Sequence, residues 1–503
     1  MSASRTWSAA LRHAATPASA ARELLARPVE ELLAIGGDDR QVPRGSVNAY
    51  GYPLADLDPV VRGSSCTASP PDGLALGDAR AFVTRVQREL DHTGALPSPD
   101  TLRARVVGPL LERYGLPERA ADRVVLTASG TDAESLVTAL TLAGTDRLLR
   151  NVVVGAVEAG SGTFLAAGGR HSSTRAPMRD EVERGAPIAG FGTERVGLVD
   201  VELRDARGRA RRAFDVEAEV EAFVEHAIEC GERVLVHAMA GSKTGLRQLD
   251  PSWIRLWRER HPDDVRVVVD AAQARCSAAE VRAFLRAGAS VSLTGSKAMG
   301  APPFCGVLLL DDAFAADAHA ALDTGATLPE GLRDFVSAAD LPPALRPLLP
   351  DAEPANLGLL ARWAVALAEL ERLRSIPAAD RELFAERLYP AIFDGLARLP
   401  RVQPIEGPDA TIMSFGLRDA TGELHDRAAL AEAYAVLVRN PGVQLGQPVQ
   451  FGTGGAAVLR YAIGATTVSR PLLDDPDPVR AAERTAAIVV ATLGELLPDL
   501  VLA

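Results

Sequence analysis

Four short apolar runs constrain the fold of this chain more than any other feature. They are Val124-Val125-Leu126, Val152-Val153-Val154, Val234-Leu235-Val236 and Val267-Val268-Val269. With its flanks each is roughly four to eight residues long, and each is rich in valine without polar alternation. That pattern belongs to strands buried on both faces. Helical patterns alternate with the runs. The clearest follows Asp215, which reads as an N-cap, and puts Val216, Val220, Phe223, Val224, Ala227 and Ile228 on one stripe. Strands alternating with helices predict an α/β layer fold with a mostly parallel sheet.

The regular pattern runs from about residue 100 to 310. A chain of 503 residues has room for more than one domain. Three parts are expected: 1–95, an N-terminal arm with part of a small domain; 96–345, a large domain; and 346–503, a long linking helix and a smaller α+β C-terminal domain. Residues 1 to about 95 look irregular, with loop-like passages at Asn48-Ala49-Tyr50-Gly51-Tyr52-Pro53 and from Gly63 to Pro71. The linking helix is expected from about Asn356 to Arg374, with Leu357, Leu360, Trp363, Ala364, Leu367 and Leu370 on its apolar stripe. A short strand is expected at Val458-Leu459-Arg460-Tyr461-Ala462-Ile463.

Charge and cysteine usage exclude several functions. The net charge is −12 and no Lys/Arg block is long, so no nucleic-acid partner is expected. The densest basic cluster, Arg204 to Arg212, is broken by Asp205 and Gly208 and reads as a solvated hairpin or loop. No apolar stretch suits a membrane helix or a signal-peptide core. Met1 to Glu30, rich in Ala and Arg, reads as a surface helix more readily than as a transit peptide. Cys66, Cys230, Cys276 and Cys305 form no CxxC pair and the histidines are scattered, so no metal site is expected. Such cysteines fit the reduced thiols of a cytoplasmic protein.

Of 54 basic residues only Lys243 and Lys297 are lysines. Lys297 lies in Ser292-Leu293-Thr294-Gly295-Ser296-Lys297-Ala298-Met299-Gly300, between apolar runs at 289–293 and 307–310, which reads as strand, tight turn, strand. A buried lysine with a lowered pKa attacks a carbonyl; a guanidinium does not. An isolated lysine in a turn is more often simply solvated, but four stretches argue otherwise. Ser129-Gly130-Thr131 ends a strand and starts a helix, where open N–H groups and the helix dipole favour an anion. The plain alternative is a capped turn. Asp270, ending Val267-Val268-Val269, is either a helix cap or the partner of a buried cation such as a pyridinium nitrogen. Thr294 and Ser296 place hydroxyls beside Lys297. Arg460, inside an apolar strand, needs an anion: a substrate carboxylate or a structural salt bridge.

In this order, Ser129-Gly130-Thr131, Asp270-Ala271-Ala272-Gln273, Thr294-Gly295-Ser296-Lys297 and Arg460 resemble the fold-type-I superfamily of pyridoxal-phosphate enzymes. The resemblance is nearest the class V aminotransferase and cysteine desulfurase-like branch and covers about residues 100 to 470. It implies an aspartate-aminotransferase-like fold and pyridoxal 5'-phosphate as cofactor. It implies a Schiff base on Lys297, with Asp270 on the ring nitrogen. Ser129, Gly130, Thr131, Gln273, Thr294 and Ser296 would complete the cofactor site. Arg460 would bind an amino-acid substrate, with Asn356 and His171 as further candidates, and the sites would lie at the interface of a homodimer. Lys243, in Gly241-Ser242-Lys243-Thr244-Gly245, becomes a turn residue preceding the aspartate.

The chain departs from the branch in three places. Ser296 stands where the branch often has His. Ala352-Glu353-Pro354-Ala355-Asn356 lacks the threonine that would reach the neighbouring subunit's phosphate. No ring-stacking aromatic is evident in Glu158-Ala159-Gly160-Ser161-Gly162-Thr163, which leaves His171 as the candidate. Aminotransferase chemistry is the first expectation, lyase or side-chain elimination and replacement the second, and a non-catalytic partner subunit the third. With no cysteine beyond Cys305, desulfurase chemistry is disfavoured. A dehydrogenase reading fails, because Gly452-Thr453-Gly454-Gly455 lacks the rest of a dinucleotide fingerprint.

Overall fold

The computed structural model describes residues 17–42, 44, 47–52, 61–63, 70–440, 443–451 and 455–497. The valine-rich runs are strands of one large sheet. Its order is Val124–Thr127, Gly306–Leu309, Ser290–Thr294, Val265–Ala271, Arg233–Ala240, Leu149–Val154, Val196–Val201. The last five run parallel, and Gly306–Leu309 is antiparallel to both its neighbours. Side chains alternate between two separate cores, as the period of two requires. Val125, Leu235, Val268 and Leu308 enter one; Leu126, Val234, Val236, Val267 and Val269 enter the other. Helices cover both faces, and this explains runs with no polar alternation.

A second sheet has the order Val61–Gly63, Val443–Gln450, Ala457–Ala462, Ile412–Leu417, Val402–Ile405. Its first strand comes from the N-terminal segment and pairs parallel with Val443–Gln450. The helices Ala378–Ala397 and Pro478–Leu496 pack beside it in a core of their own. The linking helix is Leu357–Ser375, capped by Asn356. Its Arg362 is fully buried and donates to the carbonyls of Phe304, Leu33, Ile35 and Gly36. One guanidinium thus ties the N-terminal segment to the large domain.

Three local expectations need correction. The described part of the first 95 residues is not all irregular: it includes helices Pro17–Leu25, Val29–Ala34 and Gly73–Thr93. The longest has a stripe of Ala75, Leu76, Ala79, Phe82, Val83, Val86 and Leu90, hidden in the sequence by Gly73, Gly77, Thr84 and many charges. Asp215 is not an N-cap; the helix is Ala213–Glu229, Arg212 is the cap, and Asp215 sits in the first turn paired with Arg212. Arg204 is not solvated: its side chain is 11 % exposed and pairs with the buried carboxylate of Glu158. The passages around Cys66 and Gly452-Thr453-Gly454 lie outside the described residues.

Candidate active site

The site is built at the carboxyl ends of the parallel strands, where open α/β sheets bind ligands. After the strand Val124–Thr127, Ser129 caps the helix Gly130–Leu142. Its hydroxyl accepts the Asp132 N–H at 3.2 Å and donates to the Asp132 carboxylate at 2.9 Å. The helix leaves its first N–H groups without intrahelical partners. At Gly130 three segments come close together. An added Cβ would stand 3.3 Å from the Ala272 Cβ, 3.6 Å from Ser292 Oγ and 3.8 Å from Thr294 Cγ2. The turn at Gly130, the Asp270 stretch and the strand leading to Lys297 therefore converge at one place. Thr131, Thr294 and Ser296 are buried around it, and Thr294 Oγ1 donates to the Ala272 carbonyl at 2.6 Å.

Ser292 is a residue that the sequence reading missed. Its Oγ is buried with no hydrogen-bond partner among the described residues. Strand register places it beside Asp270, and a two-residue alternation from Ser290 through Ser292 to Thr294 was the available signal. The Asp132 carboxyl is pushed up to about 7, first by burial and then by the charge of Asp38.

Asp270 is half-buried near the end of its strand, and its Oδ1 accepts the Ala272 N–H at 2.9 Å. Gln273 is buried, and its carbonyl accepts the Ala298 N–H at 3.4 Å, tying the Asp270 stretch to the lysine turn. That turn is closed by Gly295 N–H to the Cys305 carbonyl (2.6 Å) and Gly300 N–H to the Lys297 carbonyl (3.0 Å). Lys297 is half-buried and lines a cavity with Arg62, Pro70, Asp72, Gln444 and Thr466. The N-terminal segment and the small domain thus close over the lysine.

Two arginines stitch the domains together here. Arg460 is buried and donates to the Gln447 carbonyl through Nη2 at 2.9 Å and to the Lys243 carbonyl through Nη1 at 3.3 Å. Arg275 donates to Thr411 Oγ1 and to the Ile463 carbonyl, both at 2.6 Å. The Lys243 turn is held by Glu158, whose carboxylate receives the Ser242 hydroxyl at 2.7 Å, Thr244 Oγ1 at 2.8 Å and Arg204 Nε at 2.6 Å. Glu158, Arg204 and Arg275 were not read as site residues from sequence. Their contacts join segments far apart in the chain, and no local pattern announces them.

Other candidates have other partners. His171 is buried with its ring stacked on Phe335, centroids 5.5 Å apart and 21° between planes, and burial lowers its pKa. Asn356 caps its helix through Oδ1 and donates Nδ2 to the Gly36 carbonyl at 3.2 Å. Arg470, a second possible carboxylate clamp, is paired with Asp72 and Glu369. Cys305 lies under the lysine turn, fully buried, with its thiol pushed far up by that burial. Burial likewise pushes Cys276 up to about 11. Neither is a nucleophile in that state. No group of residues suited to a metal ion occurs among the described residues.

No family model matches the chain, and no curated protein matches it. Solved structures do. Catharanthus roseus tryptophan decarboxylase in complex with L-tryptophan aligns with a TM-score of 0.51 at 14% identity, covering 84% of this chain and 82% of that one. Oryza sativa TDC with PLP and tryptamine aligns with a TM-score of 0.50 at 16% identity, covering 85% and 82%. The cysteine desulfurase CsdA of Escherichia coli aligns with a TM-score of 0.50 at 16% identity, covering 87% and 95%. This chain has the fold of the fold-type-I pyridoxal-phosphate enzymes, aspartate-aminotransferase-like in architecture.

Proposed function

We propose that this protein is a pyridoxal-phosphate enzyme that works at the α-carbon of an amino acid. One observation carries the reading: Gly130, Ala272, Ser292 and Thr294 meet at one place on the large sheet, with a cavity at Lys297 lined also by the N-terminal segment and the small domain. The residues suit the cofactor. The bare Gly130 backbone, a helix N-terminus and the Ser292 hydroxyl, buried without a partner among the described residues, fit a phosphate. Bound there, pyridoxal phosphate supplies an electron sink for charge developing at the substrate's α-carbon.

The chain's own residues do the rest. The Gly130 and Thr131 N–H groups, with Ser292, Thr294 and Ser296, would hold the phosphate. Asp270 would hold a proton on the ring nitrogen. Lys297 Nζ would hold the cofactor and would move the proton at the α-carbon. Arg460, whose Nε and Nη2 donate to the Gln447 carbonyl and whose Nη1 donates to the Lys243 carbonyl, would orient the α-carboxylate through its remaining Nη N–H groups.

Arg460 stands beside the Lys243 turn on this side, its Nη1 donating to the Lys243 carbonyl, while the nearby Glu158 carboxylate is engaged by Arg204, Ser242 and Thr244. Such surroundings stabilise a carboxylate that stays on the substrate. This favours chemistry that leaves the carboxylate in place: transamination, or side-chain elimination or replacement. Decarboxylation is the second reading, favoured by the likeness to tryptophan decarboxylase.

Purified protein given pyridoxal phosphate is expected to turn yellow, and borohydride to fix the cofactor on Lys297. A mapped adduct on Lys243, or on neither lysine, would sink the assignment. An amino-acid panel then separates the chemistries: transamination yields the oxo acid and pyridoxamine phosphate, decarboxylation yields carbon dioxide and an amine.

A further inference from the structure

A second cavity, of about 470 Å³, lies against the Lys297 turn where the two domains meet. It is lined by Ala298 and Met299 of that turn, by Leu370 and Leu373 of the linking helix, and by Ile463 and Val468 of the small domain. It shares only Gly464 with the cavity that holds Lys297. A space of this size fits a small molecule, and the chemistry above makes no use of it.

The wall is largely apolar, and its unpaired charges are arginines. Arg275 lines it. Nη1 of Arg275 donates to Thr411 Oγ1 and to the Ile463 carbonyl, both at 2.6 Å, but Nε and Nη2 are buried with no hydrogen-bond partner among the described residues. Arg113, near the end of the helix Pro99–Tyr114, is exposed at the rim and lies over the Tyr114 ring, 5.9 Å from its centroid. Neither arginine forms an ion pair among the described residues. The other charges on the wall are engaged. Arg247 pairs with Glu280 at 2.6 Å, and the Asp409 carboxylate accepts the Thr411 N–H at 2.8 Å and the Thr411 hydroxyl at 2.5 Å. Buried N–H groups of a guanidinium are costly to leave unmade, and the planar fork matches a carboxylate.

We infer that this cavity is a binding site for a small monocarboxylate with an apolar body. The carboxylate goes to Arg275 and Arg113, and the body lies against Met299, Leu370 and Val468. An occupant there touches the large domain, the linking helix and the small domain together, and rests on the turn that carries Lys297. The position suits an effector and not a substrate, because Lys297 itself lines the other cavity.

The test is titration calorimetry on the full-length, cofactor-loaded protein with octanoate, 1-octanol and inorganic phosphate. Octanoate should bind once per chain and about tenfold more tightly than 1-octanol, the effect of one hydrogen-bonded charge pair. Phosphate, lacking the apolar body, should bind more weakly than octanoate. Arg275→Gln should bring the ratio of octanoate to octanol affinity close to one, and Arg113→Gln should lower it. Ala385→Trp, on the cavity wall, should fill the space and remove octanoate binding. No octanoate binding by the wild type, or octanol or phosphate binding as tightly, overturns the proposal. So does an octanoate affinity unchanged in Arg275→Gln and Ala385→Trp, which would place the carboxylate elsewhere, at Arg460 for example. If Arg275→Gln does not fold, Arg113→Gln and Ala385→Trp decide: unchanged octanoate affinity in both overturns the site.

Discussion

Asp270 and asparagine have nearly the same shape, so a substitution there isolates charge. The Oδ1 of either residue accepts the Ala272 N–H, and the strand Val265–Ala271 around it is buried valine. Asp270→Asn should therefore unfold at an unchanged urea concentration and still bind pyridoxal phosphate. Its turnover should fall about 10²–10³-fold, the usual loss when one preorganised electrostatic partner is removed. Near-normal kcat in a folded, yellow variant would show that Asp270 only caps the turn. Asp270 and Lys297 stood out as candidates because the first lies near the end of a buried apolar strand and the second follows one in a turn. The contacts of His171 and Asn356 could not be read from the sequence. The first is defined by Phe335 and the second by Gly36, both distant in sequence.

Among the elements, the strands of the large sheet were legible and the helix Gly73–Thr93 was not. A strand buried on both faces needs no polar positions, so Val265–Ala271 stands out by composition. The helix Gly73–Thr93 has to be amphipathic, and its stripe is diluted by charged and small residues. The turn at Ser337–Asp340 shows what tertiary context adds. The Asp340 carbonyl accepts the Leu126 N–H at 2.9 Å, and its carboxylate accepts the Ser337 N–H at 2.7 Å. Burial pushes this carboxyl up to about 7 from an ordinary 3.8. The folded state thus holds a proton that the unfolded chain releases. The stabilisation is complete below about pH 4 and is lost as pH rises toward 7. Asp340→Asn removes the titrating group. The urea midpoint of the variant relative to wild type should therefore rise between pH 4.5 and 7.5, and a gap independent of pH would show that the carboxyl is not buried as a neutral acid.

At the scale of the whole molecule, the site draws on the N-terminal segment, the large domain and the small domain together, and one rim of it remains bare. Gly160 and Gly162 approach Thr131 at the cradle; an added Cβ on each would stand 3.1 Å from that side chain. On either side of this contact, Val157 is 54% exposed and Phe164 is 38% exposed. Large apolar side chains beside a polar site are a usual mark of an interface. A second copy of this chain is the expected cover, in keeping with the homodimer that the sequence resemblance implies. The missing threonine at Ala352-Glu353-Pro354-Ala355-Asn356 removes one contact expected across that interface, so the apolar rim would carry more of the association. Light scattering should give twice the 53.0 kDa of one chain. Val157→Asp combined with Phe164→Asp places two charges in the interface, where unpaired burial is costly. The double variant should run as a monomer and keep its circular dichroism spectrum, because neither side chain belongs to a core. It should also lose most turnover, since the cradle rim would then face water. A wild-type mass of one chain at working concentration would refute the assembly, and a double variant that stays dimeric and active would place the interface elsewhere.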